Sequence, residues 1–217
     1  FIQTSSSVVF TLGANKGDLT VGSAIETRAD ITINGNNQFQ GTVTLESSLS
    51  ASGITVTLGE SSLSNHGFSA ASAINAQNFT LNATKHEDDI EFTGSISASS
   101  VSIVMGDRND TFSHGSAELT TSVLSFDGGT AGGFSASFNQ INYVGATGFS
   151  ILMGEDNNGL TISGFSALQG GTIRGTKEDD FIAMVAANTA SSVINIDLRD
   201  NDNASDVINF GSTESTL

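Results

Sequence analysis

Aspartate recurs at one kind of place in this sequence: the end of a short polar loop, just ahead of an alternating apolar run. Asp18, Asp89, Asp180 and Asp206 stand immediately before such a run, Asp30 precedes Ile31-Thr32-Ile33, and Asp110 lies two residues before Phe112. Carboxylates brought to one corner of stacked units repel each other, so they need a cation, a buried hydrogen bond or an ion pair. Calcium is the cation such oxygens suit, because it takes six to eight of them from carboxylates, amides and carbonyls. The densest supply is Asp197, Asp200, Asp202 and Asp206, interleaved with Asn201, Asn203 and Asn209. Its spacing is not that of an EF-hand, since Ala204 takes the third ligand position. The pairs Asp88/Asp89 and Asp179/Asp180 are the next candidates, and Asp110 a further one. A competing reading needs no metal. Lys16, Arg28, Arg108 and Lys177 each precede an Asp by two residues, and Lys85 precedes Asp88 by three. Such pairs neutralise repulsion more than they stabilise, at about 0–1 kcal/mol each when exposed. An Asp there can also accept backbone N–H bonds as an Asx turn.

The elements that position these residues repeat. FTLGANKGDLTV from Phe10, TINGNNQFQGTV from Thr32, VTLGESSLSNHGF from Val56 and TLNATKHEDDIEF from Thr80 are versions of one unit. It returns at Ile103, Leu124, Ile151, Thr172 and Ile194, nine times in all, at spacings of about 21 to 26 residues. Each unit has an apolar-x-apolar run, a glycine or its stand-in (Gly13, Gly35, Gly59, Ala83, Gly106, Gly128, Gly154, Gly175 and, in the last unit, about Arg199), a polar loop and a second alternating run. Period-two alternation with β-branched residues and phenylalanine predicts strands. A unit of this length cannot bury its inward face alone, but stacked units share a core. The expected fold is therefore all-β: a parallel β-helix, or β-solenoid, of about nine coils in one domain spanning 1–217. At ~4.8 Å per coil it forms a rod of roughly 43 Å. The 14 phenylalanines suit stacked interior columns, and the Asn-Gly pairs at Asn34 and Asn158 predict left-handed backbone.

GTKEDDFI (Gly175 to Ile182) and ATKHEDDIEF (Ala83 to Phe92) resemble degenerate haemolysin-type calcium-binding repeats, the RTX-like proteins of bacterial surfaces. MGDRNDTF and DNASDVINF are similar, more faintly. The likeness covers about a third of the chain and concerns corners. The family repeat is G-G-x-G-x-D-x-U-x, nine residues long, whereas this chain uses about 23 per coil. Glu178 and Glu87 stand where that repeat has its middle glycine. The resemblance implies an extracellular, type I-secreted bacterial protein of the surface-layer, adhesin or toxin kind.

Composition narrows the partners. There are 23 acidic residues against 7 basic, a formal net charge of −16. That argues against nucleic acid and anionic membranes, which need a basic face, and no apolar run is long enough to span a bilayer. Cysteine is absent, which excludes disulfides and thiol chemistry. Proline is absent where about 5% is usual, as a continuously hydrogen-bonded sheet requires. The lack of an initiator methionine or leader reads as an excerpt of a longer surface protein.

The expected function is non-enzymatic: a structural or adhesive module that assembles with itself, end to end or laterally, or with neighbouring domains. Two alternatives stay open. A polysaccharide-active solenoid enzyme would want a base near acids, but His66, His86 and His114 have no metal-ligand spacing and Tyr143 is the lone tyrosine. Paired Asp residues could serve a glycosidase, but sequence neighbours on a strand point to opposite faces. An ice-binding solenoid would stack outward threonines, as Thr42-Val43-Thr44-Leu45 and Thr55-Val56-Thr57-Leu58 begin to do, but IVM, LSF and ILM follow in later coils.

Overall fold

The computed structural model describes residues 1–36, 39–59, 66–83, 87–115, 117–129, 132–139, 141–143, 148–164, 166–167, 170–175, 178–185, 189–190, 193–198 and 206–210. Alternation of buried and exposed residues sets the shape of each coil. Along Ile96–Val104, Ile96, Ala98, Val101 and Ile103 point inward, and two consecutive residues, Ser99 and Ser100, do not. This slip of one residue in a period-two pattern marks a corner between two sides. The same slip falls at Gln77/Asn78 in Ile74–Asn82 and at Ser122/Val123 in Leu119–Asp127. The third side is a nine-stranded sheet that runs from Leu19–Val21 through Asp88–Phe92 and Asp110–His114 to Val207–Phe210.

Every strand pairing among the described residues is parallel, with one coil on the next. Leu49, Ile74, Ile96 and Leu119 are successive register partners. The chain is thus an all-β solenoid, as the repeat predicts. It has about seven turns where nine coils were expected. Among the described residues, the terminal repeats supply strands with a partner on one side only, such as Val8–Leu12 and Ile194–Asp197.

The interior is a continuous apolar column. Phe92 lies 5.2 Å from Phe68 and 5.8 Å from Phe112, and Phe112 lies 4.7 Å from Phe138 and 5.2 Å from Phe126. The rings meet at tilted or edge-on angles, the arrangement their quadrupoles favour. Small residues make room for them: Ala70 is the register partner of Phe92, and Ala136 of Phe112.

Two sequence expectations need correction. The repeated glycines are not one structural column. Asn34 pairs with Thr57, which brings Gly35 level with Leu58 and not with Gly59. Both glycines are needed for close approach instead: a Cβ on Gly35 would meet the Gly59 nitrogen at 2.6 Å, and one on Gly59 the Asn36 carbonyl oxygen at 2.2 Å. Asn34 and Asn158 are also not left-handed. They lie in Ile31–Gly35 and Asn158–Ser163, and among described non-glycine residues only Arg108 has positive φ, at 97°.

Phe112→Ala removes a ring that bridges three others, so it is expected to cost about 3–5 kcal/mol. Chemical denaturation, compared with the exposed substitution Val9→Ala, reads this loss directly.

Candidate functional site: a buried polar column

The third side begins, coil after coil, with a polar residue facing inward. His66, Asp88, Asp110, Asn158 and Asp180 each open a strand of this sheet, and all five are buried. Asp206 stands just before Val207 in the same register and is half-buried. Phe134 fills the remaining level, between Asp110 and Asn158. Each buried polar residue sits two positions ahead of a buried apolar one (Phe68, Ile90, Phe112, Leu160, Ile182), which is why a period-two strand turns it inward, and Asp206 has the same spacing to Ile208, which is exposed.

Two trios of the same design result. In the first, His66 Nδ1 lies 3.1 Å from Asp88 Oδ1, and the Asp88 N–H donates to Asp110 Oδ1 at 2.8 Å. In the second, Asn158 Nδ2 donates to Asp180 Oδ1 at 2.7 Å, and the Asp180 N–H donates to Asp206 Oδ1 at 2.9 Å. Each trio is two carboxylates on adjacent coils, headed by a group that hydrogen-bonds the first. The trios are joined at Phe134, whose N–H donates to Asn158 Oδ1 at 3.1 Å. Asn158 also donates to the Gly154 carbonyl at 2.8 Å, and Asp110 Oδ2 accepts from Gly106 at 3.2 Å. These bonds carry coil-to-coil register through side chains as well as backbone.

The electrostatics differ along the column. Burial pushes the Asp110 carboxyl up to about 8; the N–H bond from Asp88 opposes this, and the charges of Asp88, Asp107 and Glu87 add to it. Burial alone would lower His66, but its hydrogen bond to Asp88, its bond to the Phe39 carbonyl and the Asp88 charge raise it overall. His114 is the opposite case. Burial lowers it, partly offset by its bond to the Asn139 carbonyl at 2.8 Å, and its Nε2 is buried without a partner.

The expected calcium residues are divided by this geometry. Asp88, Asp110 and Asp180 turn inward onto neighbouring coils, while Asp89 and Asp179 are exposed, so each adjacent pair splits across its strand. Asp89 accepts from the Thr111 hydroxyl at 2.6 Å. Asp197 is exposed, and Asp200 and Asp202 lie outside the described residues, as do Lys85, His86 and Lys177. Among the described residues no three His, Asp or Glu are arranged to hold a metal ion. Arg108 is exposed while Asp110 is buried, so their two-residue spacing places them on opposite sides. Outside this corner, a shallow groove of about 280 Å³ runs past Asn109, Gly133, Asp156, Asn157 and Glu178.

The outward columns bear on the threonine reading. Thr42–Leu45 lies on the third side and Thr55–Thr57 on the second, so the two similar tetrapeptides are not stacked. One hydroxyl column does persist through Thr32, Thr55, Thr80, Ser102, Ser125, Ser150 and Thr172. Its neighbour runs Asn34, Thr57, Asn82, Val104, Asp127, Leu152 and Arg174, so these two columns do not form a two-wide hydroxyl array on the second side.

No family model matches the chain, and no curated protein or solved structure is similar to it.

Two substitutions probe the column. Asn158→Leu strips partners from the Phe134 N–H, the Gly154 carbonyl and Asp180 at once. Each buried group left unsatisfied costs about 1–3 kcal/mol, so this variant should melt far below the exposed control Asn75→Ala. His114→Leu should gain on wild type as pH falls from 7 to 5. A buried imidazole with a lowered pKa resists the proton that the unfolded chain accepts near 6.5, so its presence costs stability on the acid side. Thermal melts across that range check the sign.

Proposed function

We propose that this chain is a non-enzymatic structural module, a rigid β-rod that extends or assembles through its terminal coils. The observation that carries the reading is the matched chemistry of the two ends. Val8, Phe10 and Leu12 are inward residues on the second side of the stack, and Ile194, Ile196 and Leu198 hold the same three register positions at the other end. All six pack against the core but are only partly covered. Among the described residues, the strands that bear them have a partner on one side, so each end offers backbone groups and apolar side chains in the register of a further coil. Parallel coils added this way join head to tail, a contact that does not close on itself and therefore grows as a rod or filament. The added coil is either more of the same polypeptide or a second copy.

The non-enzymatic part is supported by where the polar chemistry sits. His66, Asp88 and Asp110 bond to one another and to backbone inside the wall, and are not directed into a cleft. Localisation at a bacterial surface follows from the repeat resemblance, and calcium stabilisation stays attached to the same resemblance.

The Val8 N–H already bonds the Asp30 carbonyl, so in a parallel strand the Val9 N–H points to the open edge. Val9→Pro therefore blocks that edge and leaves the intramolecular ladder intact. Sedimentation velocity of wild type should show concentration-dependent, elongated oligomers, and the variant should show fewer with nearly unchanged melting. A wild type that stays monodisperse at all concentrations, with single short rods by electron microscopy, contradicts end-to-end assembly.

A further inference from the structure

A groove of about 570 Å³ crosses the first side, where Ile2–Thr4, Ile25–Thr27 and the start of Leu49–Thr57 lie on successive coils. Small-ligand sites span about 300–1,000 Å³, so its size is in range. Strand alternation builds it. Ile25 and Thr27 are buried, so Glu26 between them faces out, level with Gln3 on one coil and Ser50 on the next. Hydroxyls fix the floor. Thr27 donates to the Ser6 carbonyl at 2.9 Å and accepts the Ala29 N–H at 3.1 Å, and Thr4, its level partner, accepts the Ser6 N–H at 3.1 Å. The other lining side chains, Gln3, Ser5, Glu26, Arg28 and Ser50, have no hydrogen bond or ion pair among the described residues. Arg28 does not pair with Asp30 in spite of their two-residue spacing. The Asp30 carboxylate lies over the next coil instead, where a Cβ on Gly53 would meet its Oδ1 at 2.8 Å.

These groups select a ligand by its chemistry. Among the described residues no apolar or aromatic side chain lines the groove, so a nucleobase or an apolar peptide side chain finds nothing to stack on. An unpaired guanidinium is a fork that matches a planar carboxylate, and the amide and hydroxyl side chains beside it suit hydroxyl groups. Glu26, two residues from Arg28, repels a dianion such as a phosphate monoester, and repels a second carboxylate close to the first. We propose that this groove binds an oligosaccharide whose uronic acid units are separated by uncharged sugars, with one carboxylate on Arg28 and sugar hydroxyls on Gln3, Ser5, Glu26 and Ser50. The site gives the rod a glycan contact in addition to its role as a scaffold.

The test is a titration of the whole chain with a tetrasaccharide of alternating glucuronic acid and N-acetylglucosamine, followed by amide chemical shifts. Wild type and Val9→Pro are measured in parallel, so that end-to-end assembly is separated from binding. The expected result is a set of saturable shifts confined to the Gln3–Ser5, Glu26–Arg28 and Ser50 amides, fading as sodium chloride is raised to about 0.5 M. Arg28→Gln should weaken binding about tenfold or more, the loss of a charge-assisted pair. Its melting temperature should stay at the wild-type value, because the Arg28 side chain holds nothing else in place. Arg174→Gln removes an exposed arginine from the second side and should bind as wild type does. Tetragalacturonic acid, charged on every unit, should bind wild type more weakly than the alternating probe, and Glu26→Gln should narrow that gap. Four results overturn the proposal: no saturable shifts, full affinity in Arg28→Gln, equal weakening in Arg174→Gln, or a wild type that prefers tetragalacturonic acid.

Discussion

Every coil of a solenoid must accept a near-copy of itself one strand spacing away, and that constraint governs the rest of this structure. An inward residue does not merely need a hydrophobic environment; it needs a shape that fits the residue directly above and below. The phenylalanine column meets this with tilted rings and with alanines at the levels beside them. Outward positions carry no such demand. The second side accordingly mixes Thr, Asn, Val, Asp, Leu and Arg in a single column.

Polar residues turned inward face the constraint in its strictest form. An inward carboxylate repels its copy on the next coil and cannot be left without partners. The chain resolves this by letting Asp110, Asn158 and Asp206 each accept the backbone N–H of the level before, and by heading each pair of carboxylates with a group that hydrogen-bonds the first, His66 or Asn158. Phe134 and Asn158 together separate Asp88 and Asp110 from Asp180 and Asp206, so no more than two carboxylates are stacked in succession. The same arrangement that fixes register thus heads one trio with an imidazole and the other with a neutral amide.

Much of the fold was legible because a repeat states its own register. Nine similar runs at near-constant spacing, with no proline, leave little but a parallel solenoid. The finer register was not legible from the glycines, which serve close backbone approach at two different positions and so mark no single level. The Asn-Gly pairs misled for a related reason: turn propensity is local, while Asn158 is held extended by bonds to three other coil levels or loops. The column itself had a signal. Each of its residues lies two before an inward apolar residue, and that phase alone turns it inward. Reading the Asp residues by their place in the loop, and not by strand phase, grouped Asp88 with Asp89 and weighed His66 only by its spacing from the other histidines. Asp200 and Asp202 lie outside the described residues.

Register is the claim on which all of this stands, and the lack of cysteine makes it directly measurable. Spin labels at Thr32→Cys and Thr172→Cys sit in one outward column with five levels between them. Six coil spacings predict a Cα separation of about 29 Å. A narrow pulsed-EPR distribution near that value, with Thr55→Cys paired to Ser150→Cys shorter by about 10 Å, is the expected result. A broad distribution, or two pairs whose distances do not differ by whole coil spacings, would contradict a stack of in-register coils.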